Sequence, residues 1–258
     1  MKKILYILLW IFIISGISFI IVIFSKNHSN SLCKGIEINI KYNNCQPIIY
    51  KDEILSKINN IYDSIEKIKI SEINTEKINN EIKKNPYIDE ANVKISINGK
   101  LKIRIIQKNP IVRVINKKNQ NMFIDIKGDI ITHKPNHPLR LLIANGNINE
   151  IYKNKTNINN SKYKKTKTYK IYYLAKHIKE NKFLNSQIQQ IYINSKTGDI
   201  ELLPYVGEHT IVFGDIDNTE EKLEKLIIFY KKGLRNIDWN KYKTLNLKYK
   251  HQVVCSKK

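Results

Sequence analysis

Six histidines, three cysteines and the aspartates Asp125 and Asp129 are the residues of this chain first considered for acid–base, nucleophilic or metal chemistry. Their spacing assembles none of it. His28, His133, His137, His177, His209 and His251 are dispersed and sit mostly in loop-like sequence, where a solvated imidazole is the ordinary state. Cys33, Cys45 and Cys255 include no C-x-x-C and have no histidine at zinc-site spacing. Outside the membrane, Cys33 and Cys45 can form a bridge; they read equally well as free thiols near a polar juxtamembrane segment. Asp125 and Asp129 flank a glycine turn, which explains them better than paired acid–base work. There is no G-x-S-x-G elbow, H-E-x-x-H helix, Walker loop or G-x-G-x-x-G. Trp239 and Tyr242 make either an exposed binding patch or a core anchor before the last strand, and the core reading is the stronger. The expectation is a binding protein with no catalytic residue, no cofactor and no metal.

The elements around these residues begin with Ile4–Phe24, which carries no charge over 21 residues. A helix of that length spans roughly 31 Å, about the thickness of a bilayer core. A cleavable signal peptide has a shorter apolar core, of ~7–15 residues, and ends in small residues. Phe24-Ser25-Lys26-Asn27 offers no such site, so the stretch is read as an uncleaved transmembrane anchor. Residues 1–3 then form a cytoplasmic tail, and the bulk of the chain is periplasmic. The net charge of +22, from 45 Lys and Arg against 23 Asp and Glu, raises nucleic acid as a partner. The lysines, however, are scattered among Ile and Asn, without an arginine cluster or an aromatic-basic run. No nucleic-acid partner is expected. The apolar content of 42% suffices for packed cores.

Residues 25–34 are polar and small, a linker. Ile36 to Tyr42 alternates as a half-buried strand, and Lys51 to Tyr62 puts Ile54, Leu55, Ile58 and Ile61 on one helical stripe. Asn74 can cap a second helix, with Ile73 and Ile78 as a hydrophobic staple, and Asn85-Pro86 ends it. Val93, Ile95 and Ile97 alternate up to Asn98-Gly99, and Leu101, Ile103 and Ile105 alternate on the way back. That predicts a β-hairpin with a type I′ turn. After Pro110 the texture becomes β-dominated: strands at Ile111–Ile115, Met122–Ile126, Ile130–Ile131, Leu139–Ala144, Ile188–Ile193, Ile200–Leu203 and His209–Phe213. Two helices interrupt them, at Tyr169–Ile178 and from a capping box at Asn218 and Glu221 to Gly233. Thr244 to Lys250 alternates as the last strand. Asn145 to Lys167, rich in Asn and Lys, reads as mobile.

Three stretches in order carry a family resemblance: NPYIDEANVKISINGKLKIRIIQKNPIVRVI, MFIDIKGDII and DWNKYKTLNLKYKHQVVCSKK. The chain resembles the bacterial cell-division family FtsQ/DivIB. Gln107-Lys108-Asn109-Pro110 matches the family's junction, with Gln-Lys where Glu-Arg is usual. Phe123, Asp125 and Gly128 match its second motif, and the insert at residues 152–167 departs from the pattern. The resemblance implies an α+β chain: a single N-terminal transmembrane helix (residues 4–24), a POTRA-type β-α-α-β-β domain (35–108) and a β-rich domain with two helices (109–258). It implies a single-pass inner-membrane scaffold that recruits division proteins through its POTRA domain and pairs its final strand with partners of the FtsB/FtsL type. Leu247, Lys248, Tyr249, Lys250 and Gln252 are the expected contact row, with Lys248 and Tyr249 matching the family's basic-aromatic pair. A component of envelope protein assembly or transport, where POTRA units also occur, is the alternative.

Overall fold

The computed structural model describes residues 10–20, 30–43, 45–154, 156–234, 239 and 241–258. Residues 10–20 form helix α1. Among the described residues no helix is long and apolar enough to cross a membrane. Both ends of the expected 4–24 span, and most of the 25–34 linker, lie outside the described residues. The remainder divides into two compact units, with the break at Gln107 and Lys108. A short segment through Gln46 and Ile48 groups with the second unit.

The first unit runs β1 (Ile36–Lys41), α2 (Lys51–Asn59), α3 (Thr75–Lys83), β2 (Ile88–Ile95) and β3 (Leu101–Gln107). Its sheet has the order β1-β3-β2, with β1 parallel and β2 antiparallel to β3. The cap forms as the residue types dictate: Lys77 N donates to Asn74 Oδ1 at 2.8 Å, and Ile73 and Ile78 are buried beside it. The hairpin departs from expectation. Gly99 alone has positive φ (80°), its N–H donates to Ser96 O, and Ile97 is 94% exposed at the tip. A two-residue Asn-Gly turn would set Val93 opposite Arg104, placing the two apolar rows on opposite faces. The longer turn pairs Val93 with Ile103 and Ile95 with Leu101, so both rows meet the core. Burial of the apolar face outweighs the local turn preference.

The second unit holds a nine-stranded sheet in the order β12-β11-β10-β9-β8-β7-β4-β5-β6. In chain order these are β4 (Pro110–Ile115), β5 (Asn121–Asp125), β6 (Ile130–Ile131), β7 (Leu142–Gly146), β8 (Ile188–Ile193), β9 (Ile200–Pro204), β10 (Thr210–Gly214), β11 (Tyr242–Asn246) and β12 (Val254–Lys257). Pro110 opens its strand, the position where a missing N–H is tolerated. Helices α4 (Lys167–Glu180), α5 (Lys182–Gln187) and α6 (Thr219–Ile228) lie on the second unit's core. Alternate strand residues such as Val114, Ile124, Ile191, Leu202, Phe213 and Leu245 pack against Ile171, Leu174 and Ile178 of α4 and Leu223 and Leu226 of α6.

Three expectations about this unit are corrected. Among the described residues there are three α-helices instead of two, because Asn181 ends α4 and its Oδ1 accepts Leu184 N at 3.1 Å, capping α5. Asn218 makes no side-chain cap; it adopts φ 50°, and Lys222 Nζ instead donates to Asp215 O at 2.8 Å, holding the turn before α6. The Asn/Lys-rich stretch is ordered: Ile148, Tyr152 and Ile158 are buried in the core, and Ser161–Tyr163 forms a 3-10 turn.

Candidate partner-binding edge

The residues suited to chemistry are occupied with structure. Asp125 is almost fully buried, and its Oδ1 accepts the backbone N–H groups of Lys127 (3.0 Å) and Asp129 (2.7 Å), closing the turn through Gly128. Burial pushes the Asp125 carboxyl up to about 6. Burial also raises the carboxyl of Asp129, but Lys108 Nζ at 2.6 Å and Asn157 Nδ2 at 2.8 Å outweigh it and hold it below the usual range. His209 is buried with Nε2 2.7 Å from the Tyr230 hydroxyl; burial lowers its pKa despite a bond to the Trp239 carbonyl. Trp239 stacks on Tyr230 at 5.4 Å, and Tyr242 lies 6.1 Å from Phe229, so both act as core anchors. Cys33, Cys45 and Cys255 are not paired with one another in disulfides, and Cys33 is buried. Among the described residues no group of His, Cys, Asp and Glu is placed to hold a metal ion. His28 lies outside them.

The predicted contact row comes out differently from a strand. Strand β11 ends at Asn246, and Leu247 to Gln252 form the connection to β12. Leu247 is buried in the core, and its N–H donates to Val212 O at 2.9 Å. Lys248 Nζ pairs with Asp199 at 3.0 Å while its stem lies over Gly214. Lys225 of α6 donates to the carbonyls of Tyr249 (2.6 Å) and Leu247 (3.4 Å), and His251 takes φ 57°. These contacts reverse the chain before the apparent alternation runs out. Tyr249 remains half exposed, and Lys250 and Gln252 are exposed.

Beyond the reversal comes β12, which pairs with β11 through Asn246 and Val254, Leu245 and Cys255, Thr244 and Ser256, and Tyr242 and Lys257. Strand β11 is thus interior, and β12 is the last strand of the sheet, with no described strand on its outer side. The available signal was the β-branched pair Val253-Val254, following a polar run that permits a turn.

The opposite border of the sheet is covered. Ile130 N of β6 donates to Thr156 O at 2.8 Å, Ile158 N donates to Gly128 O at 2.8 Å, and Asp129 bridges to Asn157. Asn157 and Asn159 donate side-chain amides to Lys127 O, at 3.2 and 2.8 Å. The Asn-rich insert therefore supplies the backbone and amide groups that a neighbouring strand would supply. Of the sheet's two borders, the one at β12 has no further strand beside it among the described residues.

A family model described as FtsQ/DivIB, C-terminal related, matches residues 109–256, and a POTRA-like domain model matches residues 31–106. No curated protein matches the chain.

Proposed function

The chain belongs to the FtsQ/DivIB C-terminal related family, and from that premise we propose that it is a membrane-anchored scaffold of the cell-division complex that binds a partner by strand addition at β12. The uncharged run Ile4–Phe24 supports the anchor. So does the exposure of the apolar rings of Trp10, Phe12 and Phe19 on α1 among the described residues. On this reading residues 1–3 are cytoplasmic, the chain crosses the inner membrane once, and both units lie in the periplasm.

The observation that carries the binding mode is the asymmetry of the nine-stranded sheet, closed at β6 and open at β12. An incoming strand, of an FtsB- or FtsL-type division protein, gains its affinity from the main-chain groups of Val254 to Lys257. The exposed Tyr249, Lys250 and Gln252 of the preceding turn flank that border and set register. Lys243, Lys250 and Lys257 favour an acidic partner. Leu247 acts from the core, by holding the turn, and Lys248 acts through its Asp199 pair. The POTRA-like unit recruits further division proteins.

Adjacent residues on a strand direct their N–H groups to opposite sides. Of Cys255→Pro and Ser256→Pro, one therefore removes an outward donor and the other a bond to β11. The variant that keeps its fold by circular dichroism should lose binding to the purified periplasmic region of an FtsB-type partner. Retention of full binding by that folded variant ends the proposal.

A further inference from the structure

The most exposed large apolar side chain among the described residues is Ile97, 94% exposed at the tip of the β2–β3 hairpin. Turns ordinarily carry Gly, Pro, Asn, Asp or Ser. This tip lies where the chain enters the first unit. Strand β1 runs parallel to β3 with Ile36 opposite Leu101, so the residues before β1 pass the hairpin end of the sheet. Lys34 N donates to Gly99 O at 2.9 Å, and a Cβ on Gly99 would lie 3.4 Å from the Lys34 stem. Cys33 N donates to Ile68 O at 3.0 Å, Ile70 N donates to Ser31 O at 2.9 Å, and Leu32 bridges to Lys69. Leu32 is 54% exposed. Lys34, Lys67, Lys69 and Lys100 are exposed on the segments that meet there, against the exposed carboxylates of Glu66 and Glu72. Two bare apolar side chains and four lysines thus share one end of the unit.

We infer that this end docks the first unit onto an anionic bilayer surface, with Ile97 and Leu32 entering the headgroup layer and the lysines meeting lipid phosphates. The inference rests on the membrane anchor proposed above. In the sequence, Ser25 to Asn30 alone separate Phe24, the last residue of the uncharged run, from Ser31. Fully extended, that stretch covers at most about 25 Å. An anchored chain therefore holds its Ser31 end close to the lipid surface. Tethering at such short range gives a millimolar effective concentration, so a contact too weak to hold a free protein is occupied. The residue types suit the surface. Each lysine near an anionic bilayer strengthens attachment roughly fivefold, and apolar side chains that enter the headgroup boundary add to this independently of charge. A protein partner fits less well, because the cores of protein interfaces are depleted in lysine.

The test is tryptophan quenching by brominated lipids, with the full chain in nanodiscs of phosphatidylcholine alone or mixed equally with phosphatidylglycerol. Trp10 of the wild-type chain reads the anchor. The indole introduced by Ile97→Trp in a Trp10→Phe background reads the tip, and Trp10→Phe alone supplies the baseline from Trp239. In the anionic nanodiscs the tip indole should be quenched at least about twofold beyond that baseline, and much less in phosphatidylcholine alone. Lys34→Glu with Lys69→Glu and Lys100→Glu should remove most of this quenching. Salt at about 0.5 M should do the same with every lysine in place, independently of how the triple variant folds. A tip indole unquenched in anionic nanodiscs overturns the inference, as does quenching that survives both charge reversal and salt. Quenched Trp10 with a silent tip leaves the anchor standing and removes the docking alone, whereas unquenched Trp10 removes both.

Discussion

Asp125 ionises at a cost. Burial pushes its carboxyl up to about 6, against ~3.9 in an unfolded chain. The folded state thus holds the proton more tightly. Its contribution favours the fold below about pH 4 and is lost as pH rises through about 6. Asparagine keeps an oxygen to accept the Lys127 and Asp129 amides and carries no charge. Asp125→Asn should therefore be more stable than wild type at pH 8 by up to roughly 3 kcal/mol, and nearly indistinguishable near pH 4. Urea unfolding at the two pH values checks this, and a wild type that gains on the variant with rising pH refutes it. His209 works in the opposite direction. Burial lowers its pKa, so its contribution is present above the ordinary histidine range and lost as pH falls through the depressed value. Tyr230→Phe removes the hydroxyl 2.7 Å from Nε2 and should cost about 1–3 kcal/mol at neutral pH, read from chemical denaturation. Gly128 sits at φ 89°, and a Cβ there would lie 2.6 Å from the Asn159 amide nitrogen. Gly128→Ala should cost at least about 1–3 kcal/mol in unfolding experiments, because backbone strain and displacement of Asn159 add.

The insert shows what composition conceals. Asn and Lys in quantity read as solvated chain, yet Asn154, Asn157 and Asn159 use their amides as stand-ins for backbone groups along β6. Only the fold reveals that the polar groups they meet belong to a sheet border. The double variant Asn157→Ala, Asn159→Ala should lower the hydrogen-exchange protection of the Ile130 amide by at least about tenfold, with little change in β11. Equal protection in variant and wild type would mean that the main-chain bonds to Thr156 and Gly128 suffice alone. Elements whose signal is local were legible: the Asn74 cap, the Ile171 to Ile178 stripe of α4, and the alternation of β8 to β10. Elements set by distant partners were not. The Asn98-Gly99 turn gave way to apolar register. The alternation of Leu245, Leu247 and Tyr249 ran one turn too far, because Lys225 lies 24 residues from the carbonyl it clamps. The site inherited that error. Tyr249, Lys250 and Gln252 stand beside the border, and the border itself lies at Val254 to Lys257.

At the scale of the whole chain, one charge has two consequences of opposite sign. A net charge of +22 repels itself in the compact state more than in the extended one. Salt screens that repulsion, so raising ionic strength from about 0.05 to 0.5 M, where the Debye length falls from ~14 to ~4 Å, should raise the unfolding midpoint. Strand addition at β12 should respond the other way. Lys243, Lys250 and Lys257 are exposed around the border, and their attraction for an acidic strand acts at a distance, before contact. The same salt increase should slow association with an acidic partner about tenfold or more and leave dissociation nearly unchanged, since main-chain bonds set the latter. The triple variant Lys243→Glu, Lys250→Glu, Lys257→Glu should mimic high salt in binding kinetics. It should also remove the salt dependence of the association rate while keeping the fold. If salt weakens binding through dissociation instead, the lysines contribute contacts in the bound state, and the partner is held by side chains more than by its backbone.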